Sequence, residues 1–262
     1  MIVRKFKKSK NYANNAPKDL KVLYGTDFNL SIKRTLKCKI FAIICPMKKA
    51  KKQKTILFDL DGTLIDGTQA ILEAFEVALQ GTQAHFDDER IKAMIGFPLD
   101  IMFANLGFVG EQIAERIAAY KAHYLQIYLA QTTLLPLVKE ALNVARDFAD
   151  LAVVTTKGTA SSKAILRNLG VLHLFNAVVG RDDVSEPKPS SEPILKALTL
   201  LDKGKADAFM VGDTHLDIKA AQNAKISPIA VTCGYESEQN LAKYGVLLKA
   251  NAYEAVEFIK KL

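Results

Sequence analysis

The stretch Thr55–Leu60, TILFDL, is apolar at Ile56, Leu57, Phe58 and Leu60 and reads as a β-strand. Apolar residues then recur three or four apart over about residues 68–80 and 110–129, which predicts helices. In the second of these, Ile113, Ile117, Tyr120, Tyr124 and Ile127 share one face, a stripe expected to be packing surface. Pro136 introduces a further helical stretch, Val138 to Phe148. From residue 151 the pattern alternates. LAVVTT (151–156) is a strand, and SSKAILRNLG (161–170) is a helix closed by Gly170. NAVVG (176–180) is a strand, and SSEPILKALTLL (190–201) is a helix with serines to cap it and Pro193 in its first turn. DAFMVGD (207–213), HLDIKAAQNA (215–224) and SPIAVTC (227–233) give strand, helix and strand, and a last helix covers about 252–260. Buried β-branched strands alternating with amphipathic helices predict an α/β fold, a Rossmann-like parallel sheet covered on both faces. Ligands of such sheets bind beyond the carboxyl ends of the strands. Asp59, Asp61, Thr155 and Asp213 all stand at those ends.

Composition changes this picture only at the start of the chain. Apolar residues make up 49% and charged ones 24%, ordinary for a soluble globular protein. No apolar run approaches the roughly 18–20 residues that span a bilayer, so a cytoplasmic protein with no membrane partner is expected. Cys38, Cys45 and Cys233 lack metal-ligand spacing and suit a reducing compartment. The net charge of +8 divides unevenly: residues 1–54 hold 16 Lys or Arg and 2 Asp, +14, which leaves 20 basic and 26 acidic residues, −6, in 55–262. The basic leader, residues 1–54, has no sustained period. It is expected to be disordered, or an upstream artefact if translation begins at Met47. No aromatic platform accompanies its charge, so no nucleic-acid partner is expected.

The chemistry concentrates in ILFDLDGTLID (56–66). Asp59 and Asp61 lie two apart on a strand end, start toward the same side, and repel unless a cation neutralises them or one takes up a proton. Gly62 permits a sharp turn after them. The bland alternative is an acidic turn. Asp213 follows FMVG, and Asp217, four residues on, can face the same way from the first turn of a helix. The alternative there is helix capping, with Asp217 complementing the dipole. Oxygen-only ligands beside a second acidic strand end suit Mg²⁺. Thr155 and Thr156 begin a helix, where a hydroxyl and terminal N–H groups make an anion site or simply a cap. Lys188 is held between Pro187 and Pro189. Lys157 and Arg181 are within reach of a phosphate but are not counted as site residues. His215 flanks the site, and Cys233 is expected to pack.

The order DLDGTLID, a hydrophobic strand ending in Thr155, Lys188 before a proline, and VGDTHLD resembles the haloacid dehalogenase-like phosphohydrolases across about residues 55–262, with the closest likeness to the phosphoglycolate phosphatase-like branch. The resemblance implies a core of residues 55–66 and 137–262 with an inserted all-helical cap at 67–136, whose IGFPL segment (95–99) reaches the site. It also implies a Mg²⁺-dependent phosphatase of a small phosphorylated metabolite, 2-phosphoglycolate being the first candidate. Asp59 would be the nucleophile and Asp61 the acid and base. Thr155, Thr156, Lys188 and Gly62 would meet the substrate. Asp59, the Asp61 backbone carbonyl and Asp213 would hold the metal, with Asp217 in support. Gly67 stands where relatives often carry serine, and Thr156 where many carry asparagine. A phosphosugar mutase or a non-catalytic phosphate-binding protein shares these motifs, but MIGFPLDIMF lacks a basic cap loop and the motif set is intact. A monomer or homodimer is expected.

Overall fold

The computed structural model describes residues 54–262, and what was expected of the leader and of Cys38 and Cys45 falls outside them. Six parallel strands form the sheet: β1 (Lys54–Phe58), β4 (Ala149–Val154), β5 (Ala177–Val179), β6 (Ala208–Gly212), β7 (Ser227–Val231) and β8 (Leu247–Lys249), in the order β5-β4-β1-β6-β7-β8. Alternation along each strand divides the core. Ile56, Phe58, Val153, Phe209 and Val211 face one layer, which includes Leu142 of α5 (Val138–Phe148) and Ile259 of α10 (Ala252–Lys261). Leu57, Ala152, Val154 and Met210 face the other, built from α7 (Glu192–Leu200) and α8 (His215–Ala224). Both sides of β1 are therefore covered, and this is why Ile56, Leu57 and Phe58 run on without a polar break.

Between β1 and β4 the chain inserts α1 (Thr68–Leu79), α2 (Asp88–Lys92), α3 (Leu99–Asn105) and α4 (Glu111–Ile127). Phe75 of α1 lies 4.9 Å from both Phe103 and Tyr120, ring centre to ring centre, so the insertion has an aromatic centre of its own. Its two ends are tied by an antiparallel ribbon of β2 (Ile65–Asp66) and β3 (Thr133–Leu134). The segment expected to be wholly helical thus contains one short strand, two residues that carry no legible period. The helices α2 and α9 (Glu238–Ala242), five residues each, and the half-buried edge strand β8 were likewise too short to read. β4 stops at Val154, two residues before the expected end, because the chain turns there toward α6 (Thr159–Asn168). Among the described residues no helix is long and apolar enough to cross a membrane.

Candidate active site

β1 and β6 are neighbours in register, Phe58 opposite Val211. The residues that follow them, Asp59 and Asp213, therefore leave the sheet side by side. From β1 the chain crosses to β4 on one side, and from β6 to β7 on the other, so the two aspartates flank the crevice where a doubly wound sheet binds its ligand. Asp217 joins them from the first turn of α8. One carboxylate oxygen of each of these three buried residues lies within 4.8 Å of the others.

Lys188 enters this cluster with a side chain only 1% exposed, its Nζ 2.8 Å from Asp59 Oδ1 and 2.6 Å from Asp217 Oδ1. Asp213 is held from both ends: Thr63 Oγ1 donates to its Oδ1 at 2.8 Å and the Tyr235 N–H to its Oδ2 at 2.9 Å. Gly62 and Gly234 press against the same carboxylate, where a Cβ on either would collide with it, and Gly62 also has φ +79°. Asp217 is doubly engaged, since its second oxygen accepts from the Thr214 hydroxyl at 2.8 Å and the Thr214 N–H at 3.1 Å. The capping role weighed for this pair is therefore present alongside the ion pair with Lys188.

The electrostatics follow from burial. Asp59 is pushed up to about 7, first by burial, with Lys188 opposing the rise and Asp217 adding to it. Burial, then Asp59 and Asp217, hold Asp213 well above the usual carboxylate range. Burial pulls the Lys188 ammonium down, but Asp217 and Asp59 outweigh it and keep it above the ordinary lysine range. Three buried carboxylates against one ammonium leave a formal charge of −3 + 1 = −2. Asp59 Oδ1, although close to Lys188, accepts no aligned hydrogen bond. A divalent cation of the hard, oxygen-preferring kind fits this donor set and balances its charge.

On the side facing the insertion, Asp61 Oδ2 lies 3.3 Å from Lys157 Nζ. That ammonium donates to Tyr124 OH of α4 at 2.9 Å and stands 4.7 Å from the centre of the same ring. Burial lowers Lys157, yet Asp61 and Tyr124 hold it well above its usual range. Thr155 is buried, and its Oγ1 accepts the Lys157 N–H at 3.2 Å, so the hydroxyl proton remains to be donated. The sequence reading puts Gly62 and Thr156 at the substrate, and the structure gives both another task. The Gly62 N–H donates to the Ile65 carbonyl at 2.9 Å and shapes the turn. The Thr156 hydroxyl donates to the Gly96 carbonyl at 2.9 Å and docks the IGFPL segment on the sheet edge. Cys233, expected to pack, is exposed, with Sγ 3.5 Å from the Gly62 carbonyl. His215 does flank the site, paired through Nδ1 with Glu236 at 2.9 Å. Arg181 turns away to the Val184 carbonyl.

Residues 56–231 match the family model described as haloacid dehalogenase-like hydrolase. The chain belongs to the haloacid dehalogenase-like hydrolase family. A protein named probable phosphatase IndB, from Dickeya dadantii, is 36% identical over 193 residues, 71% of this chain and 84% of its own. The phosphoglycolate phosphatase of Aquifex aeolicus is 34% identical, covering 70% of this chain and 86% of that protein. A haloacid dehalogenase-like hydrolase structure from Streptococcus pneumoniae superposes with a TM-score of 0.71 at 27% identity, over 80% of this chain and 99% of that one.

Within this haloacid dehalogenase-like hydrolase, sequence reasoning named Lys157 without counting it, gave Tyr124 a packing role, and did not single out Thr63 or Tyr235. A signal existed for two of them: Lys157 follows the Thr155–Thr156 strand end directly, and Thr63 lies inside DGT. Tyr124 was read as packing, and it is buried, but its hydroxyl also reaches the Lys157 ammonium. Gly67 explains two orphaned oxygens. Asp61 Oδ1 and Thr132 Oγ1 are buried without a hydrogen-bond partner, and a Cβ on Gly67 would stand 3.4 Å and 3.3 Å from them. Gly67 is also the N-cap of α1 and offers that helix no side-chain bond. Gly67→Ser supplies a donor to that pocket, and because its Cβ is tight against both oxygens the hydrogen bond is expected to raise stability by at most about 1 kcal/mol, up to roughly 2–4 °C in Tm. An unchanged Tm in a thermal melt would show that water already satisfies the pocket, and a lower one that the added Cβ crowds Thr132 and Asp61.

Proposed function

We propose that the chain is a Mg²⁺-dependent phosphatase of small phosphomonoesters acting through an aspartyl-phosphate. The observation that carries this reading is the convergence of Asp59, Asp213 and Lys188 at the crevice between β1 and β6. Asp59, Asp213 and the Asp61 backbone carbonyl would hold the metal, with Asp217 orienting Lys188. When bound, the cation supplies positive charge that offsets the approach of a phosphoryl dianion to a carboxylate.

The chain's own residues divide the rest of the work. An Asp59 carboxylate oxygen forms a bond to phosphorus as the ester P–O bond breaks. Asp61 gives its proton to the departing alcohol oxygen, then takes one from the water that attacks phosphorus and releases Asp59. Thr155, through its hydroxyl, and Lys188 bind the phosphoryl oxygens, and Lys157 with Tyr124 fixes the direction of the Asp61 carboxylate. Residues 67–136 act as a cap over this edge. Thr156 anchors it through Gly96, and Tyr124 through Lys157. The relative from Aquifex aeolicus makes 2-phosphoglycolate the first candidate by name.

Phosphate release from p-nitrophenyl phosphate tests the reading: EDTA is expected to abolish it and Mg²⁺ to restore it, and full activity in EDTA would remove the metal from the reaction. The same sample has a signed pH dependence. In the metal-free protein Asp59 and Asp213 bind protons more tightly folded than unfolded. The stability they contribute is complete below the ordinary aspartate range near 4 and is lost as pH rises through about 7, where Asp59 ionises. In EDTA, Tm is therefore expected to be lower at pH 8 than at pH 6, and added Mg²⁺ to raise it more at pH 8. A flat profile would contradict the buried charges.

A further inference from the structure

The cavity that Asp61 opens into bears on what leaves the phosphorus. Its volume is about 500 Å³, within the roughly 300–1,000 Å³ of small-molecule sites. Phe75, Met102, Ile117 and Tyr120 of the insertion line it together with Phe97 and Leu99 of the docked segment. At roughly 30 Å³ per water, a two-carbon leaving group would leave on the order of ten waters against these apolar walls.

Charge does not outweigh these walls. With Asp61 holding the proton it gives to the leaving alcohol, the lining sets Asp100 and Asp182 against Lys121, Lys157 and Arg181, −2 + 3 = +1, and Asp100, Asp182 and Lys121 are all exposed. The cations are also engaged or outside. Lys157 pairs with Asp61 and Tyr124, Arg181 donates to the Val184 carbonyl, and Lys121 is exposed on α4. A carboxylate or a second phosphate on the leaving group would meet only Lys157 and Arg181, both already partnered, and would give up part of its hydration against the apolar walls. A neutral ring gains from burial against the same walls.

We propose that the substrate is a phosphomonoester whose alcohol carries a neutral, flat apolar group about the size of an aromatic ring. That group sits between Leu99 and Phe97 on one side and the Phe75–Tyr120 wall on the other. This deepens the phosphatase reading and rests on it, while replacing 2-phosphoglycolate as its first candidate substrate: phosphorus at Asp59 and the ester oxygen at Asp61 place the alcohol in this cavity.

The test compares kcat/KM for 2-phenylethyl phosphate, ethyl phosphate and 2-phosphoglycolate. The first two have aliphatic alcohols of closely similar acidity, so the difference between them reports the ring. The phenylethyl ester is expected to be favoured by about thirtyfold or more over each of the others; equal values, or a preference for phosphoglycolate, would overturn the proposal. Leu99→Arg narrows the cavity and adds a cation, and is expected to cut the phenylethyl preference at least about tenfold; an unchanged ratio places the ring elsewhere. Should that variant not fold, Ser161→Arg, also in the lining, serves the same purpose. Binding without turnover separates this inference from the reading beneath it. In Mg²⁺, benzylphosphonate is expected to raise Tm more than methylphosphonate. If no ester releases phosphate the phosphatase reading fails, while equal shifts from the two phosphonates sink the cavity assignment alone.

Discussion

Asp59→Asn is expected to reduce kcat/KM for p-nitrophenyl phosphate by at least about 10⁴-fold, the scale on which enzymes lose activity with their nucleophile, while the chain stays folded. Two facts make the second half of that statement testable. Lys188 keeps its bond to Asp217, 2.6 Å away, when Asp59 loses its charge, so the ammonium is not stranded. The change also removes a buried carboxylate that the fold holds at a cost, since burial has pushed its pKa to about 7. In EDTA at pH 8 the variant should therefore melt no lower than the parent, and the fall in its Tm between pH 6 and pH 8 should shrink. The amide also weakens the metal site, so Mg²⁺ should stabilise the variant less. Retained phosphatase activity would remove Asp59 from the chemistry. Lost activity together with a collapsed Tm would mean that the carboxylate is structural.

What the sequence made legible was whatever has a period or a fixed neighbour. TILF, LAVV and AFMV read as strands because both faces of this sheet are covered. α5, Val138–Phe148, and α8, His215–Ala224, begin and end where the pattern put them, since Val138, Ala141, Leu142 and Ala145 in the first and Ile218, Ala221 and Ala224 in the second recur at helical spacing on a buried face. Asp59 and Asp213 could be placed together because parallel strands in register bring their carboxyl ends to one edge, a consequence of topology that needs no side-chain detail. The hidden features depend on contacts between segments far apart in sequence. Nothing local to Tyr124 says that its hydroxyl meets an ammonium 33 residues on. Thr156 looked like an anion ligand because a threonine at a helix start is that or a cap, and only the docked Gly96 carbonyl decides where its hydroxyl goes. The two-residue strands β2 and β3 carry no period at all, and their pairing follows from the insertion having to leave and re-enter the core at one place.

Lys188→Met should cost stability on the scale of truncating a large buried core side chain. Removing the ammonium leaves Asp59, at 3% exposure, and Asp217, at 1%, with their charges uncompensated, beside an Asp213 that is fully buried. Breaking a buried pair by deleting one partner costs about 3–5 kcal/mol, or on the order of 10 °C in Tm for a chain of this size. The loss has a pH signature, because the stranded carboxylates recover neutrality by taking up protons: the deficit should be largest at pH 8 and shrink toward pH 5. It also has a partner. In Lys188→Met with Asp217→Asn one stranded charge is gone, so the double variant should be more stable than Lys188→Met alone, which makes the two changes non-additive. Phosphate release should stay absent in both, since neither has an ammonium to meet the phosphoryl oxygens. Additive losses in that cycle would show that Lys188 and Asp217 do not depend on one another. A Lys188→Met protein that melts like the parent at pH 8 would mean that water already reaches these carboxylates, and the electrostatic basis for placing a cation among them would be gone.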